Sequence, residues 1–175
     1  MEQQLECVQL ESERLVLQPI APDSSSIPSA TGGSGTTSCW KSAAQMETAK
    51  TDFCWLLQPR LAMQPVGYVA LTQLEERHHG KLSYGLDNLW QGMGLLPEAL
   101  GLVKEFALNG AGFHWIEANV SRDNPAACRL LEHLGLHLEG LLSDGILTYS
   151  LFRSEEEIFQ MEEDSVSPDR TDTGA

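Results

Sequence analysis

The chain has 175 residues, 42% of them hydrophobic, which suffices for one core of ordinary size and is short for two, so a single domain is expected. Its 25 acidic residues against 11 Lys and Arg give a formal net charge of −14, which argues against nucleic acid or an anionic membrane surface as the main partner and favours a cationic one. Cys7, Cys39, Cys54 and Cys128 show no C-x-x-C spacing, so neither a zinc site nor a redox pair is signalled. The first twenty residues lack a basic, then apolar leader and no run approaches the ~20 apolar residues of a membrane span. A cytoplasmic chain with reduced thiols is the expectation.

In chain order, the first strand signal is SERLVLQPI, Ser12 to Ile20. The next stretch, 21–38, is rich in Ser, Thr, Gly and Pro without helical periodicity and reads as a flexible loop inside the domain. FCWLLQ (Phe53 to Gln58), VGYVALTQL (Val66 to Leu74) and KLSYGL (Lys81 to Leu86) follow as strands rich in β-branched and aromatic residues. PRLAMQP and EERHHG between them look like hairpin connections, so the first half is expected to be antiparallel and the His78-His79 doublet to be solvated.

A helix follows, with Leu95, Ala99, Leu102, Val103 and Phe106 on one face, Pro97 in its first turn and Asn109, Gly110 and Gly112 ending it. The strand HWIEANV, His114 to Val120, leads to a second helix capped by Asn124, with Pro125 first, an Ala127, Leu130, Leu131, Leu134 stripe, and Gly135 as its stop. ILTYSLF, Ile146 to Phe152, is the last strand. The domain is therefore expected over 1–153. Residues 154–175, strongly acidic with Arg170 as the one basic residue, read as a disordered tail. The order of strands, helix, strand, helix, strand predicts a mixed α/β sheet with a helical crossover in its middle.

The glycines of LWQGMGLLPEAL stand directly before the first helix. A helix amino terminus offers free N–H groups and the positive end of the helix dipole, and glycine lets a phosphate come close to the backbone. Gln91 to Leu96 can therefore hold a pyrophosphate, although the pattern is neither a Walker loop nor the dinucleotide G-x-G-x-x-G.

LESERLVLQPI, VGYVAL, YGLDNLWQGMGLLPEAL, IEANVSRDNPAACRLLEHLGLHLEG and TYSLF occur in an order and spacing that resemble the GNAT superfamily of acetyl-CoA-dependent N-acetyltransferases, closest to its ribosomal-protein N-terminal acetyltransferase branch. The resemblance covers about residues 10 to 153 and implies the GNAT-like acyl-CoA N-acyltransferase fold: a central, mostly antiparallel sheet with helices on both faces. It carries the pyrophosphate motif onto Gln91, Gly92, Met93, Gly94, Leu95 and Leu96, where Leu96 replaces a small residue. It makes Asn124 a residue that helps position the cofactor, beside its reading as a plain helix cap. The strand Leu82 to Leu89 resembles the one that splays from its neighbour so that pantetheine pairs with its backbone, which brings Leu86 and Asp87 into the cofactor site. Trp90 is a candidate wall of the cofactor site or a packing residue.

Acetyl transfer to an amine needs a neutral amine, a donor to the developing oxyanion and a proton for the thiolate. The resemblance implies a backbone N–H of the splayed strand as the oxyanion donor. Glu117, on the same strand face as Trp115 and Asn119, is the candidate base, acting directly or through a water. Asn119 stands where some family members carry a catalytic glutamate, and Ala127 and Leu131 stand where branches carry an acidic serine or tyrosine. Tyr149 is the candidate acid, with Tyr84 and His137 as further substitutes.

The sequence thus points to direct transfer from acetyl-CoA to a primary amine, with a peptide or protein N-terminus as leading acceptor, by a monomer or homodimer without a metal. Two alternatives stand beside it: acetylation of a small amine such as a polyamine or amino sugar, and a catalytically degenerate acyl-CoA-binding module.

Overall fold

The computed structural model describes residues 7–20, 53–74 and 78–153. The Ser/Gly-rich stretch 21–38 and the acidic stretch 154–175 lie outside the described residues. Among the described residues the strands and α-helices run in the order β1 (Leu10–Glu11), β2 (Leu15–Pro19), β3 (Phe53–Pro59), β4 (Gly67–Gln73), β5 (His79–Leu86), α1 (Leu95–Glu105), β6 (Trp115–Ser121), α2 (Pro125–His133), β7 (His137–Leu141) and β8 (Ile146–Phe152).

The strands form one sheet in the order β1-β2-β3-β4-β5-β6-β8-β7. Every neighbouring pair is antiparallel except β5 and β6, which are parallel and joined through α1. This is the mixed sheet with a central helical crossover that the sequence predicts. Two strands are additional. Leu10–Glu11 pairs back onto Val16 and Leu17 across a tight turn, and His137–Leu141 forms the far edge, exposed along its whole length.

Period-two alternation sends one row of each strand into a common core: Leu15 and Leu17 from β2, Trp55 and Leu57 from β3, Val69 and Leu71 from β4, Leu82 from β5, Ile116 and Ala118 from β6. Both described helices cover this face. Phe106 sets its ring edge-on to Phe53 and Trp55, 5.3 Å from each, and Glu132 of α2 meets Tyr149 of β8. Among the described residues no helix covers the opposite face.

The buried stripe of α1 is Leu95, Ala99, Leu100 and Val103. Leu100 joins it in place of Leu102, which is half-buried at the rim. At roughly 1.5–3 kcal/mol for each fully buried large apolar side chain, this stripe holds the helix firmly on the sheet. Lys104 then donates to the Leu134 carbonyl at 2.8 Å, tying α1 to the end of α2. The α1 helix runs into a wider helical turn at Phe106–Gly110, so the stop expected at Asn109, Gly110 and Gly112 lies at the end of that turn.

Candidate active site

The register of β5 decides where a ligand can enter. Its pairing with β4 covers Gly80 to Leu86, but its pairing with β6 stops at Leu82 opposite Ala118. Beyond that pair the two strands part, and from Ser83 to Leu86 the edge of β5 toward β6 has no strand partner among the described residues. A cleft of about 550 Å³ opens there. Its walls are the parted end of β5 at Tyr84 and Leu86, the start of α1, and the start of α2 at Asn124, Ala127 and Leu130.

The glycine turn forms the cleft's lower rim. Gly92 and Gly94 have φ of 79° and 73°, in the left-handed region that a β-carbon disfavours, and Gly94 is the residue at which α1 begins. No side chain caps α1, so the N–H groups of Leu95 and Leu96 keep their donor capacity, while Pro97 in the same turn has none. Gln91 donates through Nε2 to the Leu86 carbonyl at 3.3 Å and to Asn88 Oδ1 at 3.0 Å, fastening the turn to the end of β5. The second helix start is capped: Asn124 Oδ1 accepts from the Ala127 N–H at 3.2 Å. Two helix amino termini thus converge on one cleft, and both favour negative charge there.

The predicted residues separate under this geometry. Leu86, Gln91, Gly92, Gly94, Leu95, Leu96 and Asn124 all line the cleft. Asn124 is a helix cap and a wall residue at once. Asp87 and Met93 are not among the lining residues. Asp87 instead accepts from the Leu89 N–H at 3.0 Å and caps the short turn Asn88–Trp90, and Met93 extends its side chain outward, half exposed. Trp90 packs at the edge of the core.

Glu117 is placed on β6 one pair short of the parting, opposite Lys81 and Ser150, on the face away from α1 and α2. Its Oε2 lies 3.0 Å from His79 Nε2. A carboxylate only accepts, so this contact puts a proton on Nε2. The His79 ring stacks on Trp115 with centroids 3.5 Å apart. The expectation that this histidine is solvated is therefore corrected: β5 begins two residues earlier than the sequence suggests, and His79 enters the sheet with 7% of its surface exposed. His78 stays in the turn with φ of 71°. Near Glu117, the Ser150 hydroxyl and the Trp115 indole N–H are buried without a hydrogen-bond partner among the described residues.

Among the candidate acids, Tyr84 alone lines the cleft. Burial, reinforced by neighbouring Cys128, pushes its phenol up to about 12. Tyr149 lies on the same sheet face but donates to Glu132 Oε1 at 3.1 Å, and burial followed by the nearness of Cys128 and Glu132 pushes it up to about 12. His137 stands on the exposed edge strand. Asn119 accepts from the Thr148 hydroxyl at 3.0 Å, and Leu131 is wholly buried.

One contributor escaped the sequence reading. Arg14, in the turn between β1 and β2, donates to the carbonyls of Met93 and Gly94 at 2.9 and 3.2 Å and to Glu98 Oε2 at 2.8 and 2.5 Å. Its distance of 80 residues from Gly94 hides it from any local pattern. Partial burial works to raise the Glu98 carboxyl, yet the Ser12 hydroxyl and the Arg14 guanidinium bring it below the usual carboxylate value.

The parted strands, the glycine turn and the paired helix starts agree with a comparison by sequence: the model of the acetyltransferase (GNAT) domain matches residues 14–137, well over half of the chain. The chain belongs to the GNAT acetyltransferase family. GNAT acetyltransferases use acetyl-CoA as donor. Over 60 residues this GNAT chain is 38% identical to the probable N-acetyltransferase YjcK of Bacillus subtilis (strain 168), a match covering 34% of the chain and 33% of that protein. The matched stretch thus spans about a third of that relative.

Solved structures agree in fold. The ribosomal-protein-S5-alanine acetyltransferase of Vibrio fischeri superposes with a TM-score of 0.62 at 16% identity, over 85% of this chain and 98% of that one. A GNAT acetyltransferase of Bacillus anthracis gives 0.62 at 15% identity, over 83% and 98%. The spermidine N-acetyltransferase of Vibrio cholerae, in complex with CoA and spermine, gives 0.54 at 15% identity, over 65% and 73%. At these identities the likeness is one of fold.

Proposed function

We propose that this GNAT chain transfers the acetyl group of acetyl-CoA directly to a primary amine, with a peptide or protein N-terminus as acceptor. The observation that carries the reading is the parting of β5 from β6 at Leu82 and Ala118 directly above the glycine turn. Unpaired strand backbone suits an amide-containing arm, and the turn at Gly92 and Gly94 with two helix starts suits a pyrophosphate. When bound, acetyl-CoA supplies an acetyl thioester. The structural likeness to a ribosomal-protein acetyltransferase and the net charge of −14 support a basic protein acceptor.

Three groups of the chain divide the chemistry. Glu117 takes the amine proton, directly or through a water, with His79 fixing its carboxylate. A free backbone N–H on the parted end of β5 donates to the carbonyl oxygen as its charge grows. Tyr84, the ionisable side chain on the cleft wall, donates a hydrogen bond to the leaving sulfur. In balance, the acceptor's ammonium gives one proton to Glu117, the neutral nitrogen bonds to the carbonyl carbon, the carbon–sulfur bond breaks with its electron pair going to sulfur, and the second proton lost by the nitrogen leaves with that sulfur as the thiol. Tyr149 keeps its bond to Glu132 and stays outside this division.

The deciding experiment measures thiol release from acetyl-CoA in the presence of short peptides with different first residues, spermidine and an amino sugar. Release with the peptides and acetylation of their α-amine is the expected result. Turnover confined to spermidine or the amino sugar would move the reading to small amines, which the likeness to a spermidine acetyltransferase also accommodates. Acetyl-CoA binding with no turnover on any amine would make the chain a binding module.

A further inference from the structure

We propose that Arg14 is a positioning residue of the pyrophosphate turn: it orients the turn's amides toward the cleft and neutralises a carboxylate that would otherwise repel the ligand. The inference rests on the functional reading above and concerns how the same cleft gains its affinity for an anion.

The orientation follows from the peptide plane. In a trans peptide the N–H points opposite to the C=O. The carbonyls of Met93 and Gly94 both point at the Arg14 guanidinium, so the N–H groups of Gly94 and Leu95, which share those peptide planes, point away from it. Gly94 and Leu95 line the cleft. A turn with left-handed glycines on both sides of Met93 has little stiffness of its own, and a fork of donors from outside supplies it.

The electrostatics follow from Glu98. An acidic residue in the first turn of a helix is favourable while the helix start is empty, because it complements the dipole. It opposes a second anion at the same place. Glu98 is the acidic residue in the first turn of α1, and Arg14 holds its Oε2 through two nitrogens. The pair presents no net charge to the cleft. Without Arg14, a free carboxylate would stand beside the pyrophosphate.

The test is calorimetric titration of acetyl-CoA into the parent, Arg14→Met, Arg14→Lys, the double variant Arg14→Met/Glu98→Gln, and Arg60→Met, with a melting curve for each. Arg60 is the matched control. It bonds Glu11 and the Ser12 carbonyl in the same hairpin without touching the cleft. Arg14→Met should weaken acetyl-CoA binding about five- to tenfold, through a like-charge penalty at a partly exposed site together with the loss of the bonds that hold the turn. The double variant should recover the charge part of that loss and bind between Arg14→Met and the parent, Arg14→Lys should also fall between, and Arg60→Met should bind as the parent does. With an active acceptor, the Arg14→Met loss should appear in KM for acetyl-CoA and leave kcat nearly unchanged.

A parent that binds while Arg14→Met binds equally well overturns this inference alone. So does a double variant no better than Arg14→Met, or an Arg60→Met loss as large as that of Arg14→Met. A folded parent that binds no acetyl-CoA overturns the functional reading together with this one.

Discussion

His79 and Glu117 are joined across the two parallel strands at 3.0 Å, nitrogen to oxygen, one strand pair below the point where those strands separate. The histidine is pinned between its carboxylate partner and the Trp115 ring. A carboxylate held in this way has one oxygen bonded to His79 and a second that this contact does not use.

Glu117→Gln should therefore preserve acetyl-CoA affinity and lower kcat by about 10² to 10⁴, the usual worth of a general base. The deficit should shrink toward high pH, where the amine is already neutral. His79→Gln, which keeps a side-chain donor, should cost less than the Glu117 change. Rates for Glu117→Gln within threefold of the parent between about pH 6 and 10 would remove Glu117 from the chemistry.

Gly94→Glu should abolish acetyl-CoA binding by two routes: a side chain at φ of 73° strains the turn, and its carboxylate adds negative charge at the start of α1. Gly94→Ala separates them, since it introduces the strain alone; a new β-carbon there meets Arg14 Nη2 at 3.4 Å, an ordinary contact. Calorimetry should show the alanine variant weakened and the glutamate variant silent. Equal affinity in both would detach the turn from the ligand.

Tyr84→Phe should lower kcat with little change in acetyl-CoA affinity, whereas Tyr149→Phe should change melting and leave the rate alone. The contrast comes from position, since Tyr84 borders the cleft and Tyr149 is bound to Glu132. Steady-state kinetics on both variants with one acceptor decide it. A rate loss in Tyr149→Phe larger than that in Tyr84→Phe would reverse the assignment.

Alkaline pH should destabilise the protein in a defined window. Burial, aided by neighbouring Cys128, raises Tyr84 from 10.0 to about 12, and burial with Cys128 and Glu132 does the same for Tyr149. Burial also raises Cys7 and Cys54 from 9.0 to about 11. Each group is held protonated more tightly by the native state than by the unfolded one. Its contribution is complete below the unfolded value and is lost as pH rises through the folded one. From neutral pH the melting temperature should stay flat up to about pH 9 and fall between about 9 and 12. Tyr149→Phe should flatten the upper part of that fall, and an unchanged slope would show that its phenol titrates normally.

Most of the cleft was readable in the sequence because it is local. Gln91, Gly92, Gly94 and Leu95 are consecutive or nearly so, and their meaning depends only on a strand ending before them and a helix beginning after. The parts that were not readable depend on tertiary distance or on weak pattern. Arg14 acts on a turn 80 residues away. His79 sits in EERHHG, whose polarity reads as a turn, and only the sheet register shows that it faces Glu117. β7 reads HLEGL and is exposed at every position, so it lacks the apolar alternation that reveals a half-buried strand. The sequence puts Tyr149 forward as the acid with Tyr84 as a substitute, and only the fold shows that Tyr84 is the one the parting of the strands uncovers.

The place of β8 between β6 and β7 has a consequence for how the molecule is assembled. β6 precedes its outer neighbour by a helix and another strand, so while the chain is being made its outer edge stays bare until residues 146–152 have been synthesised. β7 pairs with β8 alone, through a short connection. The two are placed to meet as a hairpin, which would then dock on β6 and close the sheet. The Glu117 strand should thus be among the last parts of the sheet to gain both neighbours, and catalytic competence should wait on the emergence of residues 146–152.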